Sequence, residues 1–139
     1  MPAQFNGKVL FQLLAQFNGP ANFNGQVTFN SDAGGTAFVK RDSQKVSIRF
    51  SKDYTVKPVI IANWLFNDTK DGQGGISDSS DAKQQRILDG GFSFSVANIS
   101  TKGFDIILNK RTDEDIQFDW VATAIKNSQL SQSTLSSNP

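Results

Sequence analysis

The chain has 139 residues, and its 14 basic against 13 acidic side chains leave a net charge of +1, which provides one core-forming domain with an appendage and no basic field for nucleic acid or an anionic membrane surface. It contains no cysteine and no histidine, which excludes disulfide frameworks, thiol or imidazole metal sites and any Ser-His-Asp or Cys-His catalysis. Twelve Phe and eleven Gly point to β structure, no sustained i, i+3, i+4, i+7 pattern predicts a long helix, and no apolar run approaches the roughly 20 residues of a membrane span.

Met1-Pro2-Ala3-Gln4 lacks the charged region and apolar run of a signal peptide. The expectation is a chain that leaves its cell by another route, as virion proteins do, or one cut from something longer. Residues 4–30 then repeat with a period of six: Phe5, Phe11, Phe17, Phe23 and Phe29. Three of these open a Phe-Asn-Gly triplet, and Val9, Ala15, Ala21 and Val27 follow the first four Phe at four residues' distance. The second hexad departs from the pattern, with Gln12-Leu13-Leu14 in place of Asn-Gly.

A six-residue period fits short strands joined by Asn-Gly corners, where positive φ is tolerated, as in hexapeptide β-helices. With about three hexads to a coil, five hexads make fewer than two coils, too few for a repeat stack to be stable alone. Three chains wound together supply fifteen, and each buried Phe is worth about 1.5–3 kcal/mol. The spacing therefore predicts a triple-stranded, β-helix-like stalk with Phe5, Phe11, Phe17, Phe23 and Phe29 as a homotrimer core. The bland alternative is ordinary sandwich strands at coincidental spacing.

Residues 31–35 read as a polar, glycine-rich linker. From Thr36 the period becomes two. Strands are predicted at Ala37–Val39, Val46–Phe50, Pro58–Phe66, Phe92–Val96, Phe104–Leu108 and Ile116–Ala122, an antiparallel six-stranded β-sandwich over 36–125. Pro58–Phe66 is almost continuously apolar and is expected to be a central strand covered on both faces. The long connection from Asn67 to Gly91, rich in Asp, Ser, Gly and Gln, is of a length that is usually functional or disordered. Residues 126–139 form a low-complexity polar tail.

Three stretches carry a family resemblance: Phe50 with Pro58-Val59-Ile60, Val96 through Phe104 (Val-Ala-Asn-Ile-Ser-Thr-Lys-Gly-Phe), and Asp119-Trp120-Val121-Ala122. Residues 56–125 resemble the H-type lectin domain and the related knobs of phage tail fibres. The resemblance implies a trimerising sandwich with sugar sites near subunit edges. The aromatic and histidine that such lectins place in the turn reading Asn109-Lys110-Arg111-Thr112-Asp113 are missing here. Galactosamine-type specificity is therefore not expected, and Arg111 and Asp113 become ligand candidates by position.

Further candidates are Trp64, whose direction the near-continuous apolar strand does not assign and for which a core position is favoured over a sugar platform, and Asn67, Asp68 and Arg86 in the long connection. Trp120, in register with Ile116 and Ala122, is expected in the core. Asn67, Asp68, Asp71, Asp78 and Asp81 crowd oxygen ligands together but lack the spacing of a Ca²⁺ loop. Asp113, Glu114 and Asp115 could pair as glycosidase carboxylates, with nothing to suggest a cleft or a raised pKa. No metal, cofactor or catalytic residue is expected. The leading expectation is a non-enzymatic, homotrimeric fibre or adhesin at a virion or cell surface, its head binding a glycan or cell-surface receptor, with no nucleic-acid partner and no membrane insertion. The rival is a structural trimerisation module without a ligand.

Overall fold

A computed structural model describes residues 15–134; the expectations for Phe5 and Phe11 and for residues 135–139 of the tail lie outside the described residues. The fold is all-β and antiparallel, with one short helix. Its strands are β1 (Gly34–Val39), β2 (Lys45–Arg49), β3 (Val59–Leu65), β4 (Thr69–Lys70), β5 (Ile76–Asp78), β6 (Phe94–Ala97), β7 (Gly103–Leu108) and β8 (Ile116–Thr123), with α1 (Ser80–Asp89) between β5 and β6. One sheet has the order β1-β8-β3, a second β2-β7-β6, and β4-β5 forms a small ribbon.

The two larger sheets share one core because their strands alternate. Ile116, Phe118, Trp120 and Ala122 of β8 point inward, as do Phe104, Ile106 and Leu108 of β7. Phe118 and Ile106 are completely buried. Phe118 stacks on Trp64 at 5.0 Å and meets Phe94 edge-on at 5.0 Å, so side chains from both sheets interlock. At the other end Trp120 packs against Phe50 and Phe104. Such ring pairs add about 0.5–1.5 kcal/mol each beyond their area burial.

The central strand of the first sheet is β8, and β3 lies at an edge, which corrects the expectation for Pro58–Phe66. The run is apolar on both sides, yet Val59 and Ile61 remain exposed on the outer side. An apolar pattern reports what a strand can bury, and nothing among the described residues covers this side. Pro58 just before the strand suits an edge, where a missing donor breaks no ladder.

Gly34 and Gly35, read as linker, belong to β1 and pair with Val121 and Trp120. A Cβ on Gly34 would stand 2.9 Å from the Trp120 carbonyl oxygen, and one on Gly35 would stand 3.3 Å from the indole. Close packing, not flexibility, places glycine there. The Asn98–Phe104 stretch is likewise structural: Asn98 takes φ 55°, its side chain donates to Asp105 at 2.7 Å, and a Cβ on Gly103 would collide with the Ile48 carbonyl oxygen at 2.1 Å.

Residues 15–30 contain no helix or strand. Bends fall at Asn18-Gly19 and Asn24-Gly25, six residues apart. The expected positive φ is absent from these corners; left-handed residues among those described are Asp42, Gly74, Gly91, Asn98 and Asn127. A Cβ on Gly19 or Gly25 would meet nothing among the described residues within 4 Å. Phe17, Phe23 and Phe29 are 64%, 66% and 75% exposed.

Candidate functional site

The connection from Asn67 to Gly91, expected as an irregular loop, contains the β4-β5 ribbon and α1. Its helix signals are local. Ser79 caps α1, its Oγ accepting from the Ala82 amide at 3.0 Å. Asp68 Oδ1 accepts from the Ser80 amide at 2.8 Å, and Asp81 adds negative charge to the first turn, where free amides and the helix dipole favour it. At the far end Gly90 closes on Arg86 and Gly91, at φ 73°, reverses the chain. The periodicity is thin because α1 buries a single side chain, Ile87.

Arg86 holds this segment to the rest of the fold. Its Nη1 and Nη2 donate to Asp78 at 3.1 and 2.7 Å, and its Nε and Nη2 donate to Glu114 at 3.1 and 3.0 Å. One guanidinium thus ties α1 to the ribbon and to the turn before β8. The hydrogen bonds that Arg86 donates to Asp78 first, and then to Glu114, raise it above its ordinary pKa, and Arg86 holds the Asp78 carboxyl below its own. Arg86, expected as a ligand contact, thus serves as a clamp here, with four of its five N–H donors engaged by the two carboxylates.

Two clefts flank α1. The first, about 320 Å³, lies between α1 and the ends of β3 and β8, and is lined by Phe38, Phe66, Asn67, Asp68, Lys83, Glu114, Asp115 and Gln117 among others. The second, about 340 Å³, lies on the turn side and is lined by Arg86, Phe92, Lys110, Arg111, Asp113 and Glu114 among others. Ile87 reaches both. Asn67 and Asp68 thus share the first cleft, while Arg86, Arg111 and Asp113 share the second. Trp64 belongs to neither. Its ring is packed among Phe66, Phe94 and Phe118, on the core side that the sequence favoured.

Much of the first cleft's polarity is already paired. Lys83 Nζ donates to the Asn67 carbonyl at 2.8 Å and to Thr69 Oγ1, and Asp115 accepts from Lys40 Nζ at 2.6 Å and the Arg41 amide at 2.8 Å. The Lys40 hydrogen bond, with the Arg41 amide second, holds the Asp115 carboxyl below its ordinary pKa; a general acid needs the opposite shift. In the second cleft Lys110 lies 4.6 Å from the Phe92 ring centroid and donates to the Gly90 carbonyl. Arg111 and Asp113, both exposed, make no hydrogen bond or ion pair among the described residues. Their turn is held from below by buried Thr112, which donates to the Glu114 carbonyl at 2.7 Å and receives the Glu114 amide at 3.2 Å.

The acidic cluster is dispersed. Asp71 receives the amides of Gln73 and Gly75 in its own turn, Asp78 is held by Arg86, and no group of three potential metal ligands occurs among the described residues. Sequence reasoning missed Phe38, Phe66, Lys83, Phe92 and Lys110 as cleft residues. The Ser79 cap and the Gly90-Gly91 stop could have located α1, but the wall that α1 forms with β8 is long-range. The chain matches no protein-family model, no curated protein and no solved structure. Among the described residues no helix is long and apolar enough to cross a membrane.

Proposed function

We propose that the chain is a homotrimeric, non-enzymatic fibre or adhesin-type protein of a virion or cell surface. Residues 4–30 form its intertwined stalk, and its two facing sheets form an H-type lectin-like sandwich head that binds a glycan or cell-surface receptor beside α1. The observation that carries this reading is the six-residue ladder itself. Phe17, Phe23 and Phe29 present their rings to solvent at 64–75% exposure, while bends recur at the intervening Asn-Gly pairs. Exposed aromatics at a fixed period call for a partner with the same period, and other copies of the chain supply one. Gly19 and Gly25 agree: neither needs positive φ nor meets a neighbour among the described residues, which leaves room for close approach of another chain.

Ligand contact is assigned to the second cleft, where Arg111 offers a fork of donors and Asp113 two acceptors. A polyhydroxylated ligand presents both kinds of group, and three weak sites on one trimer gain avidity without new contacts. Light scattering should give three times the chain mass, reduced or lost in Phe17→Asp because a buried charge in the stalk is costly. On a glycan array or on cells, Arg111→Ala and Asp113→Ala should abolish binding by an otherwise intact trimer. Background-level binding by the unaltered trimer would favour the second reading, a structural trimerisation module without a ligand. The internal pairing of the first cleft's polar groups is the observation on that side.

A further inference from the structure

We infer that Asn18-Gly19 and Asn24-Gly25 are self-modification sites, at which the chain deamidates in water without an enzyme. The sequence has three Asn-Gly pairs, all of them in the six-residue ladder; Asn6-Gly7 lies outside the described residues. Deamidation begins when the backbone nitrogen that follows an Asn attacks that residue's Cγ. A following side chain obstructs the approach, and glycine has none. A helix or strand obstructs it too, because the backbone groups are already paired and fixed.

Neither obstacle exists at these two corners. Residues 15–30 contain no helix or strand, and all of them are exposed. The Gly19 and Gly25 amides donate no hydrogen bond among the described residues. Asn18 engages only its Oδ1, which accepts from Gln16 Nε2 at 3.3 Å; that donor draws electron density from Cγ and leaves Nδ2 free to depart. The asparagines of the head are held differently. Asn98 donates to Asp105 at 2.7 Å and precedes branched Ile99. Asn109 donates to the Gly91 carbonyl and accepts from the Ser93 amide, both at 2.9 Å. Asn63 is paired within β3 and precedes Trp64.

In the first step the glycine N–Cγ bond forms and the Cγ–Nδ2 bond breaks. The glycine amide proton passes through solvent to Nδ2, which leaves as ammonia. Water then opens the resulting five-membered imide. Breaking the N–Cγ bond gives Asp, whereas breaking the bond to the α-carbonyl carbon gives isoaspartate, whose backbone runs through Cβ and Cγ and is one carbon longer. Either product is ionised at neutral pH, so each event adds a negative charge. The consequence for assembly rests on the stalk reading above. Added charge and an extra backbone carbon spoil the six-residue register, so a chain left unassembled loses competence with time. A wound stalk holds its corners still and stops the reaction.

Asn22 is the internal control, exposed in the same segment but followed by Phe23. The full chain and a single-chain variant carrying Phe11→Asp with Phe29→Asp are incubated at neutral pH and read by peptide mass spectrometry. In the variant, Asn18 and Asn24 should convert at least about tenfold faster than Asn22. Adding Gly25→Ala should slow Asn24 to the Asn22 rate and leave Asn18 unchanged; the new Cβ meets nothing within 4 Å among the described residues, and φ there is not positive. Equal rates at the three asparagines, or an Asn24 rate indifferent to Gly25→Ala, overturns the sites. A trimeric parent should convert more slowly than the variant. A trimer by light scattering that converts as fast overturns the protection and leaves the sites standing. A monomeric parent converting at the variant's rate overturns the stalk reading and supports the sites.

Discussion

Residues 15–30 and residues 34–123 put the same side chain to opposite uses. In the head, Phe104 and Phe118 are 2% and 0% exposed and lie among rings from both sheets. In the leading segment, Phe17, Phe23 and Phe29 are 64–75% exposed, although the local pattern is as regular as any strand of the head. The difference lies in what returns to meet each Phe. The head's period of two places apolar side chains on one face of each strand, and its turns bring a second sheet against that face. Among the described residues the six-residue period does not turn back on itself, so the apolar side of residues 15–30 has no complement there.

The largest expected effect separates the two regions directly. Phe118→Ala should cost the head about 3–5 kcal/mol, a large part of the 5–15 kcal/mol that holds a domain folded. The same substitution at Phe29 should leave the head's thermal midpoint unchanged and lower the oligomer mass instead. Calorimetry with light scattering reads both, and a head destabilised by Phe29→Ala would mean that residues 15–30 are part of its core.

Within the head, the segment carrying α1 should behave as a separate and weaker unit. Ile87→Ala, removing its one buried anchor, is expected to cost about 2–4 kcal/mol, read as faster hydrogen exchange over residues 80–89 with β7 and β8 still protected. Ser79→Ala should cost about 1 kcal/mol with the same pattern of exchange. The smallest effect is electrostatic. Arg86→Gln should loosen α1 slightly, because its ion pairs are partly exposed and screened by solvent and salt. Asp78 titrates below its ordinary 3.8 in the folded chain, so the unfolded chain takes up its proton first as pH falls. Its contribution should be full above about pH 5 and lost as pH drops through the lower folded pKa. Arg86→Gln should flatten that acid-side loss of α1 protection; an unchanged profile would assign the loss to other carboxylates.

The larger strands were legible from period-two alternation or, at Pro58–Phe66, from a continuous apolar run; alternation is clearest where Ile116, Phe118, Trp120 and Ala122 alternate with polar or exposed neighbours. Position within the sheet was not. A strand apolar on both sides, such as Pro58–Phe66, reads as central, yet it is an edge whose outer side stays bare. The helix was missed because one buried side chain in ten residues leaves almost no period. Of the cleft linings, Asn67, Asp68, Arg111 and Asp113 were among the residues singled out in the sequence. In sequence neither the ion pairs of Arg86 nor the packing that settles the direction of Trp64 was visible, because the partners Asp78, Glu114, Phe94 and Phe118 come from other elements.

The chain alone determined which side chains need burial and with what period, because alternation and hexad spacing are properties of the covalent order. It also removed cysteine and histidine chemistry outright, since a residue type that is absent can take no part. The tertiary structure decided which needs are met within one chain. Whether Phe118 is buried, whether Arg86 is spent between Asp78 and Glu114, and whether Ile61 and Phe23 face solvent all depend on groups distant in sequence. Burial and pairing are relations between such groups, and the fold alone brings them together or leaves them apart.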